Sequence, residues 1–331
     1  MSSLDITASL RRAGLVHGAE PVIEPLTGGI SSEILHIKDG DREFVVKCAL
    51  AKLKVRDDWF ADVSRNQVED NYLRRVGMIA PGSVPRVLYS QPDEGWFAME
   101  FLGGDFVNWK SELLSNRAET AHAKRAGEIL GRIHAATWGD PEVAQEFATL
   151  KNFRQLRLEP YLETTAERVT DLAPLLRDEK ERLAQTALCL VHGDFSPKNI
   201  LISPDRMVIV DAEVGWFGDP VFDLAFLLTH FHLKALWQET DPEPALLLVP
   251  VFWQAYTNAL GSHASADLES RTARLVLCLL LARVHGKSPV EYLTQTSQRD
   301  FITAFVRQHL PQPFPTLPLL TASWQEGISR L

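Results

Sequence analysis

Between residues 24 and 49 the stretch EPLTGGISSEILHIKDGDREFVVKCA carries two β-rich runs, Glu33 to Lys38 and Glu43 to Ala49, on either side of Asp39-Gly40. That dipeptide supports a tight hairpin, and an earlier run ends at the Gly28-Gly29 turn. From Val63 to Val76 the apolar spacing is helical, whereas Val84 to Tyr89 and Trp96 to Phe101 return to strand. The first residues, MSSLDITASLRRAGLV, read as a short amphipathic helix. The N-terminal portion is therefore expected to be a small antiparallel sheet with one inserted helix.

The texture changes at Gly103-Gly104, after which helical spacing dominates: Glu119 to Trp138, Leu156 to Arg168, Asp178 to Thr186, Pro220 to Trp237, Ala245 to Leu260 and Ala273 to Val284. Two short β runs, Asn199 to Ile202 and Met207 to Val210, interrupt it around the turn-rich spacer Ser203-Pro204-Asp205-Arg206. The predicted class is α+β in two lobes, residues 1–102 and 103–331. No internal repeat or low-complexity tract is visible.

Composition narrows the function. A chain of 331 residues with 45% hydrophobic content is globular and large enough for two lobes. A formal net charge of −9 without a basic stripe argues against nucleic acid as the main partner. The most apolar stretches, 245–256 and 275–284, are too short to span a bilayer, which needs about 20 apolar residues, and the N-terminus has no secretory pattern. The three cysteines, Cys48, Cys189 and Cys278, have neither disulfide-framework nor zinc spacing. A reducing cytoplasm and a small-molecule partner are expected.

The densest chemistry lies in LVHGDFSPKNILI, residues 190–202, and in DAEVGWFGDPVFDLAF, which follows the second hairpin at once. Asp194 and Asp211 lie at opposite ends of that hairpin, with Asn199 between them, so folding brings them together. Two acids and an amide form an oxygen-only set suited to Mg²⁺, which keeps waters and shares substrate phosphates. An acid spared from the metal can take the proton of an alcohol in line with a phosphoryl group. Lys47 in FVVKCA supplies a cation for nucleotide phosphates, Glu69 on the next helix can hold it, and the TGGISSE loop offers amides and hydroxyls to phosphate.

These segments resemble the aminoglycoside phosphotransferase-type branch of the protein-kinase-like superfamily, which also holds choline and methylthioribose kinases. HGDFSPKN is similar to its H-G-D-x-x-x-x-N, and DAEVGWFGDPVFDLA to its D-x-E-x-x-x-x-G-D-P-x-x-D-L-A. The resemblance runs from about Glu24 to Tyr292 and implies a two-lobed kinase-like fold using ATP and Mg²⁺. It implies Asp194 as catalytic base, Asn199 and Asp211 as metal ligands assisted by Glu213, Lys47 on the α/β-phosphates and Glu69 orienting it. Gly28, Gly29, Ser31 and Ser32 would form the phosphate loop, and backbone groups of Glu100 and Leu102 in the connector MEFL would meet adenine. His192, Asp219 and Asp223 would brace the catalytic loop.

The acceptor is less constrained. Substrate-side candidates are Arg157, Tyr161, His230, Lys234, Trp237, Arg283 and Lys287, the middle three sharing one helix face. Their mixed-to-basic character argues against a polycationic aminoglycoside and for a sugar-like or other polar alcohol. RVHGKSPVEYL resembles the arginine-bearing C-terminal segment of methylthioribose kinases, although Asn199 departs from their pattern. An aminoglycoside kinase, a catalytically silent nucleotide-binding protein of the same fold and a metal-dependent hydrolase using His192 and Asp194 are the alternatives.

Overall fold

The computed structural model describes residues 3–26, 32–49, 65–238 and 240–331. The chain divides into two compact units, Met1–Phe106 and Val107–Leu331. The division falls a few residues beyond the Gly103-Gly104 change of texture.

The first unit holds α1 (Ser3–Arg12), β1 (Val22–Pro25), β2 (Ser32–Asp39), β3 (Arg42–Ala49), α2 (Arg65–Ile79), β4 (Val87–Gln91) and β5 (Trp96–Glu100). The strands form one antiparallel sheet in the order β1-β2-β3-β5-β4. Gly40 turns β2 into β3 at φ +61°, a backbone geometry that glycine adopts without steric cost. Strand alternation sends Leu35, Ile37, Phe44, Val46, Trp96 and Ala98 to one face, in register as Leu35 opposite Val46 and Ile37 opposite Phe44. Ile6 and Leu10 of α1 cover that face, and each fully buried side chain of this kind contributes about 1.5–3 kcal/mol. Lys47, one position on from Val46, points to the opposite face, and Glu69 reaches it from α2, whose Val68, Tyr72, Leu73 and Val76 are buried.

The second unit begins with β6 (Val107–Asn108), α3 (Trp109–Leu114), α4 (Thr120–Thr137), α5 (Pro141–Glu146) and α6 (Leu150–Phe153). A π-helical stretch, Arg154–Glu163, runs into α7 (Thr164–Arg168) and is followed by α8 (Ala173–Gln185). Then come β7 (Cys189–Val191), β8 (Ile200–Ile202), β9 (Met207–Ile209), β10 (Trp216–Gly218) and the helices α9 (Val221–Trp237), α10 (Glu243–Leu260), α11 (Ala266–His285), α12 (Thr296–His309) and α13 (Leu317–Ile328). The hairpin β8–β9 pairs Ile200 with Ile209 and Ile202 with Met207, and β6 adds a third strand beside β8. A separate two-stranded sheet pairs β7 with β10. The loop 192–199 thus leaves one sheet and enters the other, and 210–215 returns. Both apolar stretches read as buried helices fall in α10 and α11, and among the described residues no helix is long and apolar enough to cross a membrane.

The sequence pattern anticipates one uninterrupted helix from Leu156 to Arg168, and the structure differs. Pro160 has no N–H to complete an α-turn to Leu156, so the Leu156 carbonyl accepts from Nη1 of Arg157 at 2.7 Å instead. The widened turns continue to Thr164, which bonds back to Glu159 through its N–H and, at 3.0 Å, its hydroxyl.

Two features of the second unit generate predictions. At Gly131 of α4 an added Cβ would lie 2.6 Å from the Tyr256 carbonyl oxygen and 2.7 Å from Ala259 Cβ on α10. Alanine favours a helix by about 0.8–1 kcal/mol over glycine, but overpacking costs about 1–3 kcal/mol, so Gly131→Ala lowers Tm. A higher melting temperature for this variant would show that the two helices can separate freely. In α9, the buried Asp223 accepts the His192 N–H on one oxygen at 2.7 Å and the Gly193 N–H on the other at 2.9 Å. Asp223→Ala orphans both amides at about 1–3 kcal/mol each, and denaturant titration is expected to register a loss of several kcal/mol.

Candidate active site

Four short elements assemble the polar centre of the second unit. Strand β7 delivers His192, Gly193 and Asp194; the turn at Pro197–Asn199 delivers Lys198 and Asn199; the end of β9 leads to Asp211 and Glu213; and the π-helical stretch delivers Arg157 and Tyr161. Gly193 is required here: its φ is +77°, and a Cβ would approach the Val214 carbonyl oxygen to 2.7 Å. The Asn199 carbonyl accepts the Val210 N–H at 3.0 Å, and His192 Nε2 lies 3.2 Å from the Val210 carbonyl. These bonds bring the two ends of the hairpin together, as the positions of Asp194 and Asp211 anticipate.

Asp194 is buried, and one oxygen, Oδ2, lies 3.0 Å from Nη2 of Arg157 and 3.0 Å from Nζ of Lys198. The other oxygen, Oδ1, has no hydrogen-bond partner among the described residues. Burial pushes this carboxyl up, but Arg157 and Lys198 outweigh burial and the repulsion of Asp211, holding it below its ordinary value. Reciprocally, Asp194 raises Lys198 against the cost of burial. Arg157 is itself anchored by Nε donating to the Gly193 carbonyl at 2.6 Å, so the cation that holds the carboxylate also holds its loop.

The metal-type donors sit beside this carboxylate. Asn199 Nδ2 donates to the Asp194 carbonyl at 3.0 Å, which fixes the amide and leaves its oxygen as the outward end. Asp211 has φ +67°, a left-handed conformation that costs a non-glycine residue roughly 1–2 kcal/mol and collects at functional sites. Glu213 is buried nearby and, like Asp211, favours the charged form of Arg157. His192 accepts the Asp194 N–H on Nδ1 at 3.1 Å, and burial keeps its pKa low. Both its ring nitrogens are engaged within the protein, which removes it as a metal ligand and with it the hydrolase alternative; among the described residues no three His, Cys, Asp or Glu side chains gather as a metal cluster.

The bracing residues work at two distances. Asp223 holds the loop amides directly. Asp219 holds the surrounding helices: its Oδ2 meets Nη1 of Arg182 on α8 and Nη1 of Arg271 on α11, both at 2.5 Å, while Oδ1 accepts the Val221 N–H at the start of α9 at 3.2 Å. Glu179 ties Arg182 and Arg274 into the same ionic belt.

The substrate-side candidates converge, apart from Lys287. Arg157 and Arg283 lie over the Tyr161 ring at 6.0 and 5.7 Å, and Nη1 of Arg283 donates to the Tyr161 hydroxyl at 3.1 Å. His230 packs edge-on to Phe226, Lys234 lies 5.0 Å from the centre of the Tyr292 ring, and Trp237 packs against the same ring. Lys287 is exposed and enters only through its N–H to the Pro160 carbonyl. Arg157 has a second contact that the sequence reading did not foresee, with Asp194 itself. Lys198 was missed as well, although its place four residues after Asp194 in a tight loop is the signal.

In the first unit, Lys47 and Glu69 form an ion pair of 2.6 Å with both side chains buried. Nδ2 of Asn66 donates to the Lys47 carbonyl at 3.3 Å and fastens α2 to β3. Ser32 is buried at the start of β2, whereas Gly28, Gly29 and Ser31 lie outside the described residues. The Glu100 N–H is taken by the Arg86 carbonyl at 2.9 Å, and Leu102 follows β5 half-buried.

Comparison with known proteins agrees with this arrangement. The model of the phosphotransferase enzyme family matches residues 22–265. A methylthioribose kinase of Geobacillus thermodenitrificans is 23% identical over 285 residues, covering 77% of this chain and 72% of that protein. The methylthioribose kinase of Pectobacterium carotovorum is 26% identical over 317 residues, covering 82% and 79%. Among solved structures, an amicoumacin kinase in complex with AMP-PNP and Ca²⁺ superposes with a TM-score of 0.55 at 14% identity, over 96% of this chain and 98% of that one. The two-lobed α+β architecture is the kinase-like one of these neighbours, and with the family model spanning most of its length the chain belongs to the phosphotransferase enzyme family, as a small-molecule kinase.

Proposed function

We propose that this kinase transfers the γ-phosphoryl group of ATP to a hydroxyl of a small polar alcohol, with Asp194 receiving the hydroxyl proton. The observation that carries the reading is the divided state of the Asp194 carboxylate: Oδ2 is clamped by Arg157 and Lys198, while Oδ1 is buried with no hydrogen-bond partner among the described residues. A buried acceptor atom without a donor is costly, and an alcohol O–H supplies the missing bond. As the acceptor oxygen bonds to phosphorus, the bridge to the β-phosphate breaks, ADP leaves with the bonding electrons, and the proton passes to Oδ1. A carboxylate held below its ordinary pKa takes that proton late, when the forming P–O bond has made the hydroxyl acidic.

Asp211, Asn199 and Glu213 are the residues that would hold Mg²⁺. The set is all oxygen and carries only two carboxylates, which suits an ion that keeps waters and phosphate oxygens in its shell. Bound there, the ion would neutralise charge on the phosphates. The buried Lys47–Glu69 pair supports Lys47 as the nucleotide cation. The joint presence of Lys47, Asp194, Asn199 and Asp211 favours an active enzyme over a silent scaffold. The relatives named methylthioribose kinase support a sugar-like acceptor, and the AMP-PNP and Ca²⁺ of the amicoumacin kinase support a nucleotide with a divalent ion. Three cysteines without a disulfide fit a reducing cytoplasm.

Asp194→Asn is expected to reduce phosphoryl transfer by about 10²–10⁴-fold while nucleotide affinity holds; full turnover in the purified variant would remove Asp194 from the chemistry. Lys198→Met takes away one of the two cations that depress Asp194, so its pKa rises. The acid limb of kcat/KM then moves to higher pH, and an unmoved limb would separate Lys198 from Asp194.

Asp211→Ala is expected to weaken Mg²⁺-dependent ATP binding more than Asn199→Ala does, since a carboxylate attracts a divalent ion more strongly than a neutral amide. Calorimetric titration of ATP at varied Mg²⁺ checks the order. Equal metal dependence in both variants and the wild type would contradict the assignment.

A further inference from the structure

The helix α9 carries Phe226, His230 and Lys234 at successive four-residue steps along one buried stripe, which α11 and the segment after it face with Arg283 and Tyr292. Lys234 is 1% exposed, yet its ammonium has no hydrogen-bond partner among the described residues. The same holds for Nδ1 of His230, Nε of Arg283 and the hydroxyl of Tyr292. Four buried polar atoms in one neighbourhood, all able to donate, have no acceptor; a stable interior ordinarily satisfies such atoms.

Charge sharpens the point. The positive groups that act on this stripe are Lys110, Lys198, Lys234 and Arg283. Among the described residues, the carboxylate that acts on Lys234 is Glu291, which is bonded to Lys110. The Asp194 carboxylate is already claimed by Arg157 and Lys198. The Tyr161 ring joins the two regions, meeting Arg157 on the Asp194 side and Arg283 on the other. A group received by the cationic stripe therefore sits one aromatic ring away from Asp194.

We propose that the acceptor is an anionic alcohol whose carboxylate or phosphate is bound by Lys234, His230 and Arg283, an inference that rests on the phosphotransferase reading and names the acceptor class for it. A negative group completes the four orphaned donors and balances the clustered cations in one step. The same cluster repels a cationic acceptor. Burial, then Lys110 and Arg283, push Lys234 down to about 7, with Glu291 opposing. Burial, Lys234 and Arg283 push His230 well below its usual range, so it stays neutral and can donate one N–H. An anion binds the charged form of Lys234 and raises its pKa. Affinity is then highest below pH 7 and falls as pH rises above it, binding at higher pH taking up a proton.

The test uses the full chain without nucleotide and four ligands on one hexose scaffold: glucose, glucosamine, glucuronate and glucose 6-phosphate. Calorimetry at about pH 6 and about pH 8.5 is expected to show glucuronate or glucose 6-phosphate binding at least about tenfold more tightly than glucose, as a charge-assisted hydrogen bond implies. The preference shrinks at the higher pH, and the better of the two anions distinguishes carboxylate from phosphate. Lys234→Met is expected to lose the preference while melting above the wild type, because an uncompensated buried ammonium is gone, and Lys234→Arg is expected to keep it. Glucose or glucosamine binding as tightly as either anion, or none of the four binding, would overturn the proposal. So would an anion preference that survives in Lys234→Met. Transfer of labelled phosphate from ATP to each ligand is scored separately. Transfer to glucose or glucosamine alone overturns the anionic acceptor and leaves the kinase, whereas anion binding with no transfer to any alcohol sinks the phosphotransfer reading and leaves the pocket.

Discussion

One buried carboxylate, that of Asp223, organises the polar centre of the second unit from behind. Asp223 presents its two oxygens to the consecutive amides of His192 and Gly193, 2.7 and 2.9 Å away. A loop leaving a three-residue strand has almost no ladder to hold it, so its amides need acceptors from elsewhere. A side chain from the first turn of α9 supplies both at once, and it can because α9 is buried along nearly its whole length. That clamp fixes the start of the loop, and Arg157, Asn199 and Val210 hold the rest of it. Asp219, four residues earlier, fixes α9 in turn through Arg182 and Arg271.

The second constraint is charge. Bringing the buried Asp194 and Glu213 together with the half-buried Asp211 is unfavourable unless cations accompany them. Arg157 and Lys198 do so from two sides, and the cost is visible in the backbone. The π-helical stretch around Pro160 breaks a regular helix so that the Leu156 carbonyl can anchor Arg157. Asp211 holds a left-handed conformation. Strain of this kind persists only where surrounding packing over-determines it, and here the buried sheets on either side do so.

Much of this was legible in the sequence, for reasons that also mark where reading stops. The sheet of the first unit follows from strict alternation around Gly40, and the long helices from apolar spacing sustained over several turns. Strands β7 and β10 were invisible because three residues hold barely one alternation, although β7 leads into the loop 192–199 and β10 receives the segment 210–215. Helices α12 and α13 bury narrow stripes, with Ile302, Phe305 and Val306 in one and Leu317, Leu320 and Trp324 in the other, too sparse to stand out from the polar residues between them. Within the site, Asp194, Asn199 and Asp211 were readable because polar density between buried runs is costly unless used. The contact of Arg157 with Asp194 was not, since the two are far apart in sequence and only a folded π-turn brings them to 3.0 Å.

The two units treat a buried lysine in opposite ways. Lys47 has its counter-charge built in: Glu69 lies 2.6 Å away. Lys234 is as deeply buried and, among the described residues, has no carboxylate paired with it. As the proposed nucleotide cation, Lys47 gains from being oriented beforehand by its partner. A lysine left without a counter-charge gains most from a ligand that brings one, so its unfavourable burial in the free protein becomes discrimination in the complex. On the proposed anionic acceptor, selectivity follows from what this cluster lacks: cations meet repulsion, neutral alcohols leave the donors unsatisfied, and an anion removes both penalties at once.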